Sequence, residues 1–315
     1  MLAAVLHAYG ATPRYEAFED PSLTEAGQVV VEVAVASLNP VDVRKASGTF
    51  ATGAPPLPSV VGMEGVGRVA GGDGVRVYFD APVAPFGAMA ERTLVAAEDL
   101  HELPDGIDDG LAASLGVAGL AGWLPLAWRA RLQPGETVLV LGATGIVGQV
   151  AVQAARLLGA GRVVAAGRDT ELLERAKALG ADATVDLRAH EDLAAAFRAA
   201  AGGELHVVLD PLWRAPAVAA LEALAPGGRL VQLGQSAGVE ATVSSAVLRG
   251  KQLDLLGYSN FNVPAEVRRE AYATLVEHAA AGRIALELER VPLRDVADAW
   301  ARVQSGARRK LVLVP

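Results

Sequence analysis

Residues 137–141 read Thr-Val-Leu-Val-Leu and run directly into Gly142-Ala143-Thr144-Gly145-Ile146-Val147-Gly148. A continuous apolar run of this length suits a strand buried on both faces of a parallel sheet. The small and apolar residues that follow, among them Val150, Ala151, Ala154 and Ala155, predict a helix over 147–158. Glycines at such a joint allow a tight turn, close approach of backbone to a pyrophosphate, and packing of helix on strand. The helix start adds free N–H groups and a partial positive charge. The spacing is G-x-x-G-x-x-G, with Ala143 in the first slot of the stricter form. By itself that spacing also fits a tight turn with no ligand. The strand–turn–helix context makes it a dinucleotide-binding turn.

The rest of the middle region extends this unit. Strands are expected over 162–166, 183–186, 206–210 and 229–234, alternating with helices over 170–179, 191–201 and 215–224. Such alternation implies right-handed crossovers and a parallel sheet. The first third has a different texture. Short strands over 28–36, 65–70, 75–79 and 90–95 are separated by Gly and Pro, and Pro55, Pro56 and Pro58 read as an extended connector. They predict a small barrel-like β unit. Residues 108–128 look helical, with Pro125 a kink or break. Near the end, helices are expected over 264–281 and 296–305, and a strand over 310–314. The fold class is therefore α/β.

Whether the ribose carries a 2′-phosphate is decided at the end of the second strand of the alternating series. A carboxylate there holds a 2′-hydroxyl, and an arginine accepts a 2′-phosphate. Gly167 stands where the carboxylate is expected, followed by Arg168 and Asp169. Asp169 precedes a helix, where Asp is a favoured N-cap, so Arg168 is read as the phosphate clamp, with a solvated loop arginine as the alternative, and the cofactor as NADPH. Ligands sit outside the carboxyl ends of a parallel sheet, which adds Asp210-Pro211-Leu212, Gly234-Gln235-Ser236 and Tyr258-Ser259 as candidate contacts.

Composition removes several function classes. The formal net charge of −8 argues against nucleic acid and against a polybasic membrane contact. With no cysteine there is no disulfide, no thiolate nucleophile and no cysteine zinc site. No signal peptide or transmembrane run is expected, and a cytoplasmic protein is the default reading.

The ordered motifs resemble the medium-chain dehydrogenase/reductase superfamily, in its zinc-independent quinone oxidoreductase branch. The resemblance rests on Ser37-Leu38-Asn39-Pro40-Val41-Asp42, Gly62-Met63-Glu64-Gly65-Val66-Gly67, and Gly87-Ala88-Met89-Ala90-Glu91. It continues through Leu132-Gln133-Pro134-Gly135-Glu136, Ala178-Leu179-Gly180-Ala181-Asp182, Pro226-Gly227-Gly228-Arg229 and Arg309-Lys310-Leu311-Val312. It implies a GroES-like catalytic domain over 1–117 and 262–315, a Rossmann domain over 118–261, and a homodimer joined through the Rossmann domains. It also implies that Asn39 orients nicotinamide or acceptor, the alternative being a turn residue before Pro40, with Asp42 as its support or as a cap for a helix at Val43. Arg309 falls where relatives place a basic residue on the pyrophosphate, though the charges of Arg308-Arg309-Lys310 are ordinarily solvated. Met63 replaces the histidine of zinc-dependent relatives, and Gly122 replaces a small hydroxyl residue beside the nicotinamide.

Without a metal, oxidising an alcohol is hard, whereas an activated double bond or a quinone accepts hydride readily. The chain then supplies position, exclusion of water and hydrogen-bond donors. Tyr258 is a candidate donor to a carbonyl oxygen, with packing as its alternative; Glu64 reads as a buried structural carboxylate. Phe50, the 55–58 connector and the surroundings of Tyr258 are expected to wall the acceptor pocket. A short-chain reductase is set aside, because no Tyr-x-x-x-Lys pair occurs. A non-catalytic NADPH-binding sensor or structural protein on the same fold is the competing reading.

Overall fold

The computed structural model describes residues 1–50 and 53–315, and it divides into two compact units. The first comprises Met1–Val117, Ala273–Gly282 and Leu286–Pro315; the second comprises Ala118–Tyr272 and Arg283–Ala285.

The first unit begins with β1 (Leu2–Leu6), β2 (Arg14–Ala17) and β3 (Gln28–Ser37). Helix α1 (Pro40–Ala46) follows, then β4 (Ser59–Val60), β5 (Glu64–Val69), β6 (Arg76–Asp80), β7 (Arg92–Ala96), β8 (Leu100–Glu102) and α2 (Asp109–Ser114). Strand β3 organises the unit, pairing antiparallel with both β5 and β7. Val31, Val33 and Val35 point into the core while Glu32 and Ala34 face out, the period of two that a one-sided strand requires. A Cβ on Gly67 would stand 2.2 Å from the Glu32 carbonyl oxygen, so only glycine lets β5 lie this close to β3. A three-stranded sheet, β2-β1-β4, lies apart from the larger one. Strands β1, β2, β4 and β8 were not expected from sequence. Each is five residues or fewer and is fixed by its partner strands rather than by its own pattern.

The second unit holds α3 (Leu120–Leu124), β9 (Thr137–Leu141), α4 (Ile146–Leu157), β10 (Arg162–Gly167), α5 (Thr170–Ala178), β11 (Ala183–Asp186) and α6 (Leu193–Ala201). It continues with β12 (Val207–Asp210), α7 (Arg214–Ala223), β13 (Arg229–Gln232), α8 (Ser245–Lys251) and β14 (Asp254–Gly257). All six strands are parallel, in the order β11-β10-β9-β12-β13-β14. Every residue of β9 and β12 is buried, because helices cover both faces. Leu139, Leu141, Val164, Val208 and Leu230 meet Phe197, Ala217 and Leu221 in one core.

Helix α9 (Ala265–Ala280) runs through the division between the units, so the first unit resumes at Ala273 rather than at 262. A helix has no linker-like composition to betray such a point. The chain ends with β15 (Leu288–Pro292), α10 (Val296–Ser305) and β16 (Lys310–Val314), and β16 pairs with β3.

Residues Asp109–Arg129 form one helical run that is long and apolar enough to cross a membrane, a run the sequence pattern predicts to be interrupted. Its most apolar window is 78% buried inside the protein, as in a core helix. Pro125 does not break it. The proline has no N–H to give, and the helix widens into a π turn in which Ala130 N donates to the Pro125 carbonyl at 2.9 Å.

Candidate functional site

The glycine turn joins β9 to α4. Gly142 has φ +61, the left-handed region that favours glycine. A Cβ on Gly148 would lie 2.3 Å from the Gly142 carbonyl oxygen, so that glycine is fixed by packing. Gly145 differs. Its φ and ψ of −84 and 167 are open to any residue, and the nearest atom to an added Cβ is 3.5 Å away. Among the described residues no packing contact demands glycine there; a ligand approaching the backbone closely would. Gly145 is also the N-cap of α4 and has no side chain to satisfy the first-turn N–H groups. Those donors and the helix dipole suit a pyrophosphate.

Parallel pairing brings the expected strand-end residues to one edge of the sheet. Gly167 ends β10 and Arg168 follows it, and a Cβ on Gly167 would strike the Thr144 methyl at 2.5 Å. Arg168 is exposed, and its guanidinium has no partner among the described residues. Asp169 caps α5, accepting from Leu172 N at 3.2 Å.

Asp210 is fully buried at the end of β12. Its Oδ1 accepts from Leu212 N at 2.8 Å and Trp213 N at 2.9 Å, and its Oδ2 has no partner. Burial pushes its carboxyl up to about 6, against the pull of those two N–H groups. Pro211 and Leu212 lie against the turn, within 3.1 Å of where a Gly142 Cβ would be. Gly234 must be glycine, since its Cβ would fall 2.6 Å from the Pro211 carbonyl oxygen. Gln235 and Ser236 continue that loop, and Ser236 Oγ donates to Pro211 O at 3.2 Å. Tyr258, half-buried after β14, donates its hydroxyl to Asn260 Oδ1 at 2.7 Å. Burial raises its phenol above the ordinary value, so it is a hydrogen-bond donor and a poor acid. Ser259 follows it and precedes a short 3-10 turn, Asn260–Asn262.

Gly122 packs α3 against α4: a Cβ would sit 2.8 Å from Val150 Cβ and 2.9 Å from Val147 O. A hydroxyl residue has no room there.

The first unit contains a buried charged cluster that the sequence pattern reveals only in part. Asn39 is 2% exposed and precedes α1, where Pro40 takes the first helical position. Asp42 is not a cap for a helix at Val43. It lies inside α1, and its Oδ2 accepts from Asn39 N at 2.7 Å, because the helix starts at Pro40. Asn39 Nδ2 donates to Glu64 Oε1 at 2.8 Å and to Ser37 Oγ at 3.3 Å. Its Oδ1 accepts from Lys310 Nζ at 2.6 Å, and the same ammonium donates to Leu38 O at 2.9 Å. Glu64 Oε2 accepts from Tyr78 OH at 2.9 Å and from Val117 N at 2.7 Å. A Cβ on Gly116 would overlap the Tyr78 hydroxyl, at 1.8 Å.

In this arrangement both Asn39 N–H donors are committed within the protein, so the side chain has none to give a ligand. Lys310, expected to be solvated, is 2% exposed. It opens an apolar strand, which was the available signal. Burial raises Glu64, raises Asp42 to about 7 and lowers Lys310 to about 8, while the ammonium opposes the shift of both carboxyls. Arg309 stands apart, exposed, with Nε 3.5 Å from Glu287. Among the described residues no group of three or more His, Asp or Glu could hold a metal ion. The groove formed by His7, Arg14, Tyr15 and Arg294 contains none of the expected ligand-binding residues.

Comparison with known proteins agrees with the two-part fold. An alcohol dehydrogenase GroES-like domain model matches residues 25–105, and a zinc-binding dehydrogenase model matches residues 147–280. The chain is 33% identical over 253 residues to a quinone oxidoreductase of Pseudomonas aeruginosa, covering 78% of this chain and 76% of that protein. It is 32% identical over 304 residues to a phenolphthiocerol/phthiocerol polyketide synthase polypeptide of Mycobacterium tuberculosis, covering 92% of this chain but spanning only 14% of that protein. The quinone oxidoreductase structure from Thermus thermophilus, solved also with NADPH, superposes with a TM-score of 0.79 at 31% identity and full coverage of both chains.

Proposed function

The chain belongs to the medium-chain dehydrogenase/reductase superfamily, in its quinone oxidoreductase branch, and from that premise we propose that it is an NADPH-dependent reductase of quinones or α,β-unsaturated carbonyl compounds. The observation that carries the coenzyme assignment is Gly145, a glycine with neither a conformational nor a packing need inside the chain, placed at an uncapped helix start. Arg168, exposed and unpaired among the described residues, supports the 2′-phosphate. The NADPH complex of the Thermus thermophilus relative supports the same choice.

When bound, the coenzyme supplies a hydride from its nicotinamide ring. The chain's own residues hold and orient it. The turn 142–148 takes the pyrophosphate, and Asp210, Pro211, Leu212, Gly234, Gln235 and Ser236 form the edge against which the rest lies. Tyr258 offers a neutral O–H once Asn260 releases it. Asn39 and Asp42 act by holding the Glu64–Lys310 cluster in register. Zinc independence rests on the donor set: the chain has no cysteine, and Met63 stands where a ligand histidine would be. Strand β14, at the sheet edge with Leu255 40% exposed, is the edge through which a homodimer would form.

The test is turnover with a panel of quinones and enones, including an unsaturated thioester, using NADPH and then NADH. Equal or better efficiency with NADH would refute the 2′-phosphate assignment. Arg168→Ala is expected to raise KM for NADPH about tenfold and to leave that for NADH unchanged. Tight NADPH binding without turnover of any acceptor would favour a non-catalytic sensor.

A further inference from the structure

The helical run that carries α2 into α3 widens into a π turn over Leu115–Gly119. No proline lies in that turn. What meets its backbone is the Glu64 carboxylate. Val117 N donates to Glu64 Oε2 at 2.7 Å, and a Cβ on Gly116 would stand 2.2 Å from the same oxygen. A side chain that takes a backbone N–H from inside a helix disturbs the regular i to i−4 ladder, one of the few ways a helix comes to hold an extra residue in one turn. Glu64 suits this role as an ion. Asn39 Nδ2, Tyr78 OH and Val117 N all donate to it, and Lys310 supplies its counter-charge.

An extra residue in one turn changes everything after it. Each residue of an α-helix takes about 100° of rotation, so a one-residue expansion turns α3 by about that much relative to an unbroken helix. The face so presented carries Gly122, which packs on α4 with room for no Cβ: one would lie 2.8 Å from Val150 Cβ and 2.9 Å from Val147 O. Its neighbours Ala121 and Trp123, which a rotation of that size would bring round, both have a Cβ. Val147 is the second residue of α4, in the turn that offers its free N–H groups to the pyrophosphate.

We propose that Glu64 is a positioning residue for the coenzyme: by holding the N–H of Val117 it keeps the π turn open, and the π turn keeps Gly122 seated on the first turn of α4. The proposal rests on the coenzyme assignment above. Glu64 acts through the register of the helix and not by contact with the coenzyme.

The test is calorimetric titration with NADPH, beside a thermal melt, for the full chain and for Glu64→Gln, Tyr78→Phe and Gly122→Ala. Glutamine keeps the shape of the side chain but turns an NH2 group toward one of its donors. Asn39 cannot flip to relieve this, because Lys310 holds its Oδ1. Glu64→Gln is expected to weaken NADPH at least about fivefold. Tyr78→Phe takes a hydrogen bond from the same Oε2 but leaves Val117 its acceptor. It should lower the melting temperature and leave NADPH within about twofold. Gly122→Ala keeps the cluster intact and should reproduce the weakening, again at least about fivefold. Equal weakening by Glu64→Gln and Tyr78→Phe, as a general loosening of the cluster would give, would overturn the proposal. Unchanged NADPH affinity in Glu64→Gln, or in Gly122→Ala, would overturn it as well. Failure of the unaltered chain to bind NADPH is a separate outcome, which removes the coenzyme assignment and this proposal with it.

Discussion

Replacing Lys310 by Met is the sharpest probe of the buried cluster. The stem keeps its packing, but the ammonium disappears from a site that is 2% exposed. Two hydrogen bonds go with it, to Leu38 O at 2.9 Å and Asn39 Oδ1 at 2.6 Å. Glu64, fully buried, loses its counter-charge. Each charge-assisted bond contributes about 1.5–3 kcal/mol, and stranding a buried partner costs about 3–5 kcal/mol in all. A loss of about 4 kcal/mol is therefore expected. That is a large part of a total of roughly 5–15 kcal/mol, yet it still leaves a folded chain to measure. Urea unfolding followed by circular dichroism reads it. The variant should also acquire a steeper pH dependence. Asp42 titrates near 7 in the fold, well above its unfolded value near 4, so its ionised form is disfavoured in the fold. Stability contributed by the protonated carboxyls is present at low pH and falls as pH climbs from about 4 through 7. Without the ammonium both Asp42 and Glu64 shift further up, and the deficit should be smaller at pH 5 than at pH 8. Glu64→Gln in the Lys310→Met background should recover at least about 2 kcal/mol of the summed single losses. Strict additivity of the two substitutions, with no pH dependence of the Lys310→Met deficit, would refute the view that these charges stabilise one another.

Three further perturbations follow from the second unit. Gly145→Ala is expected to cost no more than about 1 kcal/mol of stability, the difference between Gly and Ala at an N-cap, and to weaken NADPH at least about tenfold in calorimetric titration, because the added methyl makes only an ordinary contact inside the chain and would meet the ligand. Gly148→Ala should instead destabilise the chain by about 2 kcal/mol or more, since its Cβ meets backbone at 2.3 Å. Asp210→Asn removes a carboxyl that titrates near 6 in the fold. The raised value means that stability declines as pH rises from about 4 through 6 in the unaltered chain; the variant should lose that decline in a pH series of thermal melts.

The sequence alone determined the second unit as far as β13, while α8 and the bounds of β14 were not expected. An all-apolar segment such as 137–141, followed by closely spaced glycines and small helical residues, has few other ways to bury itself. Alternation through 234 then forces a parallel sheet whose carboxyl edge is the ligand edge. Asp169 was identifiable as a cap because capping is local. The short strands β1, β2, β4 and β8 were not, since strands so brief are fixed by their partners rather than by their own pattern. Gly122 and Gly148 explain themselves only once the atoms packed on them are visible. Glu64 read as a buried carboxylate and Asp42 as a support for Asn39, but their joining with Lys310 into one cluster was decided by tertiary structure. Glu64 and Lys310 lie far along the chain from Asn39 and Asp42, and Lys310 beside Arg309 reads as one more solvated charge. Pairing of β16 with β3 brings Lys310 to Asn39, and the low dielectric there makes each charge depend on the others. Trp213, with φ 65 after β12, is the same case in backbone form. No local preference predicts a tryptophan at a positive φ, and only the surrounding hydrogen bonds, working against its intrinsic conformational preference, put it there.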